Sequence, residues 1–432
     1  MRLIIHRGTH EIGGSAVEVR TNSGSTRIIL DLGMPLVTPD NSPFEWRHYR
    51  NLRVEQLIDG QILPVFYGLY AHQKPSIKAV LLSHAHQDHF GFLRFVHPSI
   101  PLYVSPGTLN LIEVSNIFLD TKVNLQLARE FDMWKPFEIG DFAITPYLMD
   151  HSAPDAAAFL IEADGQKLFY TGDFRGHGRK RVLLERLIAE PITDVNCLVM
   201  EGTMLGREKG LYQDEIAVEK AIYDLIVGKS SYIFVFCSSQ NVDRLVSIYR
   251  ATKRAGALLV IDLYTAFVLD KLRQISGKIP QFDWSSVRVL YSYSQAQKLA
   301  TYDKSLLYKY KKAKVSLEEI RRSPENMVLL CKDNSYFKVM LRHLGDLSDA
   351  KAIYSMWHGY LERSNLRKVL GSHGIELTEI HTSGHAYCED LQKLARALRP
   401  THVIPIHTFH PERYGELFEN VTQLNDGQEF TL

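Results

Sequence analysis

Between Leu81 and Gly91 the chain reads LLSHAHQDHFG, and within six positions it carries His84, His86, Asp88 and His89. One histidine is usually a core or surface residue, but packing has no use for four potential ligands spaced His-x-His-x-Asp-His. Imidazole suits zinc, and a carboxylate inside the cluster lowers the cost of gathering two dications. The run directly follows Ala79–Leu82, AVLL, a short β-branched stretch that reads as a strand. Its side chains therefore fan out from a strand's C-terminal end, where loops build sites.

Other residues share that placement. His151 ends YLMDHSAPD, Asp173 sits in YTGDFR directly after the strand-like KLFY, and His407 ends HVIPIH. A carboxylate such as Asp173 can bridge two metals about 3.5–4 Å apart, and a water held between them ionises near neutral pH. Asp31, after RIIL, is placed to orient a ligand histidine from behind. Taken singly, Asp31, Asp173 and His407 read equally well as ordinary polar residues. With the cluster they complete a set for two divalent ions, zinc first and manganese second.

At 432 residues the chain is long enough for two lobes. Its 45% hydrophobic and 23% charged residues suit a globular protein with a sizeable core, and a net charge of +1 marks no overall polyanion binder. Cys197, Cys237, Cys331 and Cys388 form no C-x-x-C pair, which speaks against a disulfide framework or a cysteine zinc site and for buried free thiols. The N-terminal apolar stretch is too short for a signal peptide, and no run reaches the ~18 apolar residues of a membrane span. A soluble, cytoplasmic protein with no membrane partner is expected.

Short strands such as RIIL, LYV, AFLIE, KLFY and LVM occupy the first part of the chain. After Gly202 the rhythm becomes strand–helix alternation. Asp214–Val227 and Asn241–Gly256 read as helices, while YIFVF, LLVI and VLL read as strands of a small parallel unit. From about Leu370 the earlier style returns with ELTEI and HVIPI. These shifts predict a first lobe over 1–203, an inserted α/β lobe over 204–369 and a closing part over 370–432.

The order Asp31, SHAHQDH, His151, TGDFR resembles the metallo-β-lactamase fold across 1–203 and 370–432. That resemblance implies an αββα sandwich in which His84, His86 and His151 hold one metal, Asp88, His89 and His407 the second, with Asp173 bridging. The fold hosts many hydrolyses, so it leaves the substrate open. The inserted lobe resembles the β-CASP insertion of nucleic-acid-processing enzymes such as ribonuclease J. LVMEGT supplies Glu201 as that family's acidic motif, HTSGHA supplies His385, and PIH supplies His407. A histidine held protonated by a nearby carboxylate can serve the leaving oxygen, which makes the His385–Glu201 pair the candidate proton donor. An ordinary helix-start histidine and a plain salt-bridge carboxylate are the bland readings. Two departures stand out: EGT replaces the commoner EST, and TFHPERY follows His407 where many relatives carry GE.

Two stretches are candidate nucleic-acid contacts. YIFVFCSSQNVDR runs from strand to helix, so Ser238, Ser239, Asn241 and Arg244 could hold a phosphate, although Ser239 or Asn241 could equally be a plain cap. Residues 288–322 carry nine Lys or Arg against three acids, a net +6 that leaves the rest of the chain at −5. There Lys309, Lys311 and Lys312 interleave with Tyr302, Tyr308 and Tyr310, a mixture suited to backbone phosphates and stacked bases. A solvated face is the plain reading of the same residues. Together these features predict a two-metal nuclease acting on single-stranded RNA, ribonuclease J-like, in endo or 5′-exo mode. A DNA nuclease or a hydrolase of small thioesters or lactones stands as the rival.

Overall fold

Period-two alternation of apolar residues makes the first half of this chain a stack of sheets. The computed structural model describes residues 1–38, 42–228 and 231–432. Strands β1 (Arg2–Arg7), β2 (Ala16–Arg20), β3 (Arg27–Leu30), β4 (Ala79–Leu81), β5 (Leu102–Val104) and β6 (Ala128–Glu130) lie side by side in one sheet. Strands β7 (Phe137–Ile139), β8 (Phe142–Leu148), β9 (Ala157–Ala163), β10 (Gln166–Tyr170) and β11 (Cys197–Glu201) form a second. The two sheets meet face to face. Ile28 and Leu30 of β3 point into a core with Phe142, Phe159, Ile161 and Tyr170, all fully buried. Ile29, between them in sequence, points the other way and packs with Leu111 and Ile112 of the Pro106–Phe118 helix. On the far side, Phe169, Leu198 and Met200 pack against Leu184, Leu391 and Leu394 of two further helices. Helix, sheet, sheet and helix are thus layered in that order.

The inserted region is built differently. Strands β12 (Ile233–Phe236), β13 (Leu258–Asp262), β14 (Val287–Leu290), β15 (Lys314–Val315), β16 (Met327–Cys331), β17 (Lys351–Tyr354) and β18 (Glu376–Glu379) pair in parallel, in the order β15-β14-β13-β16-β12-β17-β18. Its central strands read as continuous apolar runs because helices cover both faces. The chain then returns to the sandwich. Strand β19 (His402–Ile406) adds to β11 in parallel, and β20 (Glu429–Thr431) pairs with β1.

The boundary at 369 needs correcting. ELTEI belongs to the inserted sheet, where Glu376–Glu379 pairs with β17 as an edge strand, so this sheet extends to Glu379. An alternating strand with one polar face suits either lobe, and composition could not choose between them. Cys197, Cys237 and Cys331 are buried free thiols as expected, whereas Cys388 is only partly buried. Among the described residues, no helix is long and apolar enough to cross a membrane.

Candidate metal centre

All the site segments leave the C-terminal ends of strands. Asp31 follows β3 with a left-handed backbone (φ 59°), and His407 follows β19 in the same conformation (φ 55°). Such backbones are uncommon away from glycine and cluster at functional sites. Hydrogen bonds hold both turns: Asp31 N–H donates to Leu81 O at 2.9 Å, and His407 N–H donates to Gly8 O at 2.8 Å. The histidine run is clamped the same way, with Leu32 N–H on His89 O at 2.7 Å and Met34 N–H on Gln87 O at 2.8 Å.

Three imidazoles converge first. His86 Nδ1 lies 3.1 Å from His84 Nε2 and 3.1 Å from His151 Nε2. A second group joins Asp88, His89, Asp173 and His407, and a third joins Asp173, Glu201, His385 and His407. Here His89 Nε2 stands 3.2 Å from Asp173 Oδ2, and His407 Nε2 stands 3.4 Å from Asp88 Oδ2. Ligands 2.0–2.1 Å from a tetrahedral ion lie about 3.3 Å apart, so these spacings suit a shared cation.

The outer nitrogens decide what faces inward. His151 Nδ1–H donates to Gly384 O at 2.7 Å, and His89 Nδ1–H to Asp31 Oδ2 at 2.8 Å. Thr203 Oγ1 gives its proton to His407 O and so accepts from His407 Nδ1–H at 2.8 Å. Ser83 Oγ likewise donates to Asp31 and accepts from His84 Nδ1–H at 3.0 Å. With Nδ1 protonated, neutral His84 and His151 present Nε2 lone pairs to the single Nδ1 of His86, which can donate to only one of them. The buried His89 Nε2, His407 Nε2 and both Asp173 oxygens lack hydrogen-bond partners. Polar atoms left so would cost about 1–3 kcal/mol each, so the donor set fits divalent cations.

Burial, with the charge of His89 on His84 and of His86 on His151, pushes the pKa values of His84 and His151 well below the usual imidazole value, keeping both neutral as ligation requires. For His89, burial is outweighed by Asp173 and Asp31, which hold it well above that value. Burial also opposes ionisation of Asp173, but His407, His89 and His385 keep it an anion.

His385 stands beside both groups, its ring 5.6 Å from that of His151 and 5.7 Å from that of His407. Its Nδ1 is 3.4 Å from Glu201 Oε1 and 3.6 Å from Asp173 Oδ2. Burial is outweighed by Glu201 and Asp173, so its pKa is raised. Glu201 is also fixed by the backbone: Oε1 accepts from Ala386 N–H at 3.1 Å and Oε2 from Thr203 N–H at 3.0 Å. The two departures noted above explain one another here. Tyr414, in the Pro411–Glu416 turn that follows His407, donates to Met200 O and Glu201 O at 2.8 and 2.7 Å. A Cβ on residue 202 would stand 2.7–2.8 Å from its ring, so EGT makes room for the Tyr of TFHPERY. Ser83, Tyr170, Thr203, Gly384 and Tyr414 carry no ligand signature, and sequence reasoning missed them.

The expected nucleic-acid contacts fare unevenly. Arg244 is fully buried, bonded to Glu215 at 2.9 Å and to Ser355 Oγ at 2.6 Å, so it is a structural arginine rather than a groove residue. Ser239 is buried with its hydroxyl 2.7 Å from that of Thr265, and Asn241 caps its helix by accepting from Arg244 N–H at 3.0 Å. Ser238 is exposed. Lys309 pairs with Asp270 at 2.5 Å, while Lys311 and Lys312 are exposed. Tyr302 and Tyr308 are exposed, but Tyr310 is buried with its hydroxyl on Asp270 and cannot stack a base.

Fold and donor set together define a metallo-hydrolase, and comparison with known proteins agrees. Residues 64–222 match the Beta-lactamase superfamily domain, and residues 375–412 match the Zn-dependent metallo-hydrolase RNA specificity domain. The chain thus carries a metallo-β-lactamase superfamily domain together with an RNA specificity domain. More particularly, it is distantly similar to ribonuclease J. It is 24% identical to Ribonuclease J of Sinorhizobium meliloti over 399 residues, covering 84% of this chain and 64% of that protein. Ribonuclease J of Mycoplasma pneumoniae is 24% identical over 379 residues, covering 81% of this chain and 60% of that protein. The chain thus spans less than two thirds of the length of either relative. A crystal structure of a protein of unknown function from Enterococcus faecalis superposes with a TM-score of 0.79 at 20% identity, over 100% of this chain and 99% of that one. That likeness bears on the fold alone.

Proposed function

We propose that the chain is a two-metal nuclease that hydrolyses phosphodiester bonds of single-stranded RNA between the sandwich and the inserted lobe. The observation that carries this reading is the place of His385, beside both candidate metal groups and within 3.4 Å of Glu201. The match of residues 375–412 to an RNA specificity domain supports RNA as the polymer. His84, His86 and His151 would hold one ion, and Asp88, His89 and His407 the other, with Asp173 between them. Bound there, the ions supply a water-derived nucleophile at neutral pH and positive charge for the attacked phosphoryl group.

The chain's own residues do the rest. Asp31 accepts from His89, Ser83 and Tyr170 and so fixes the ring that faces Asp173. Glu201 and Asp173 keep a proton on His385. As the phosphorus–oxygen bond breaks, that proton passes to the departing ribose oxygen and His385 is left neutral. Glu201, pinned by two backbone N–H groups, holds the ring through the transfer.

Cleavage of matched, end-labelled single-stranded RNA and DNA with Zn²⁺ or Mn²⁺, beside Asp88→Ala, tests the reading. RNA cut by the parent and spared by the variant supports it, and product lengths separate endo from 5′-exo attack. Cleavage of DNA alone hands the site to a DNA nuclease. Metal bound with neither polymer cut, but thioesters or lactones turned over, rejects the nuclease altogether.

A further inference from the structure

Beside this centre lies a group of side chains that the ligand set does not use. Past β17 comes the short His358–Glu362 helix, with Trp357 at its start and Tyr360 within it, 38% and 50% exposed. Their rings stand 5.3 Å apart at 88°. The indole is held flat against the chain, since a Cβ on Gly359 would come within 2.3–2.6 Å of three of its carbons. Two guanidinium groups sit on that indole, Arg207 at 5.2 Å from the ring and Arg363 at 5.8 Å.

Arg207 lies in the segment that leaves the sandwich after Glu201. It closes the turns that follow Glu201, with Leu205 N–H on Gly202 O and Arg207 N–H on Met204 O, both at 3.1 Å. Met204 sulfur accepts from Ser383 Oγ at 3.2 Å, in the loop that carries His385. The cluster therefore joins both lobes and hangs from the same two segments as Glu201 and His385. Its charges report the same neighbourhood: burial and the Asp88 carboxylate raise the Tyr360 phenol, and burial lowers the Arg207 guanidinium with Glu201 opposing it. Among the described residues, neither guanidinium has a carboxylate or hydrogen-bond partner, whereas Arg244, Lys309, Arg321 and Arg367 of the inserted lobe each have a carboxylate. Exposed aromatic rings beside two unpaired cations, next to a centre for phosphodiesters, lack only an anion that carries a flat ring.

We propose that Trp357, Tyr360, Arg207 and Arg363 form a subsite for an unpaired nucleobase, stacked on the exposed rings with its flanking phosphates on the two arginines. This rests on the nuclease reading and adds to it where the strand is gripped. Stacking reads the flat base and not the sugar, so the subsite serves single strands and tolerates any base.

The test uses the full, metal-loaded chain in a His385→Ala background that slows turnover, with binding read by anisotropy of a labelled RNA decamer. Trp357→Ala and Tyr360→Ala should each raise Kd about 5- to 150-fold, the worth of one stacked base. Trp357→Phe and Tyr360→Phe should stay within a few-fold of the parent. Gly359→Ala, which displaces the indole without deleting it, should behave like Trp357→Ala. A decamer of abasic residues should bind the parent and Trp357→Ala alike. Arg207→Gln and Arg363→Gln should each reduce the slope of log K against log salt by about 0.7, the share of one phosphate contact. Equal Kd for the parent and both alanine variants on the intact decamer overturns the subsite, and if the wild type still cuts RNA, the nuclease reading survives that loss. A wild type that neither binds nor cuts RNA overturns both.

Discussion

Two buried clusters of charge, close together in this molecule, are built on opposite terms. Glu215 and Arg244 lie in the inserted lobe, and each finds its partners: Glu215 accepts from Arg244 at 2.9 and 3.1 Å and from Ser247 Oγ at 2.8 Å, while Arg244 also donates to Ser355 and Thr382. Asp173 and its histidines are buried as deeply, yet their inward atoms have no hydrogen-bond partner. Arg175 joins the two, two positions after Asp173 and 3.3 Å from Glu215. The closed pair needs nothing further, so it reads as architecture. The open set is stable only with something added, so it reads as a binding site.

Removing a member of each cluster should separate those roles. Asp173→Ala is expected to lose metal and to lower cleavage on the order of 10⁴-fold, since positive charge at the phosphoryl group is worth several kcal/mol. Its metal-free form should unfold more easily than the metal-free parent, because His89, His385 and His407 lose the carboxylate that faces them. Metal analysis and urea unfolding check both halves, and retained metal with near-normal cleavage would reject the bridging role. His385→Ala should keep its metal yet slow kcat roughly 10²–10⁴-fold. Metal lost from that variant would make His385 a ligand instead of a proton donor.

The closed pair answers to stability. Glu215→Ala strands a buried guanidinium and should cost about 3–5 kcal/mol in unfolding. Acid should act through the same residue. Burial raises the Glu215 pKa, but Arg244 and Arg175 outweigh it and hold it below its ordinary 4.5. A carboxylate depressed in the fold contributes stability above that value and loses it as the pH falls toward the depressed pKa. Unfolding free energy should therefore drop below about pH 4.5, and Glu215→Gln should flatten the drop. An unchanged acid limb would mean that other carboxylates govern it.

The same contrast explains what the sequence disclosed. Ligands concentrate rare side chains at strand ends, so HAHQDH, His151, Asp173 and His407 stand out, and RIIL and LYV match β3 and β5 residue for residue. Supporting residues are common types brought close only by the fold. Thr203 and Gly384 meet His407 and His151 across 204 and 233 positions of chain. Arg244 misled for the same reason. An arginine in the first turn of a helix after a strand reads as a phosphate contact, and only tertiary packing discloses that Glu215 has claimed it. The basic stretch 288–322 misled by half, since composition cannot tell the exposed Tyr308 from the buried Tyr310.

The smallest expected effect falls where the two kinds of construction touch. Tyr414 is a closed, architectural residue, yet its hydroxyl bonds the backbone of Glu201, which positions the proton donor. Tyr414→Phe removes one donor from two carbonyls and should cost about 0.5–1.5 kcal/mol in stability. If Tyr414 were scaffold alone, catalysis would not notice. If it positions Glu201, kcat should fall several-fold with KM and metal content unchanged, and the alkaline limb of the pH profile should move to lower pH. That direction follows because a loosened Glu201 supports the His385 proton less well, so His385 deprotonates at lower pH. Gly202→Ala, which presses on the same ring from the other side, should shift the profile the same way.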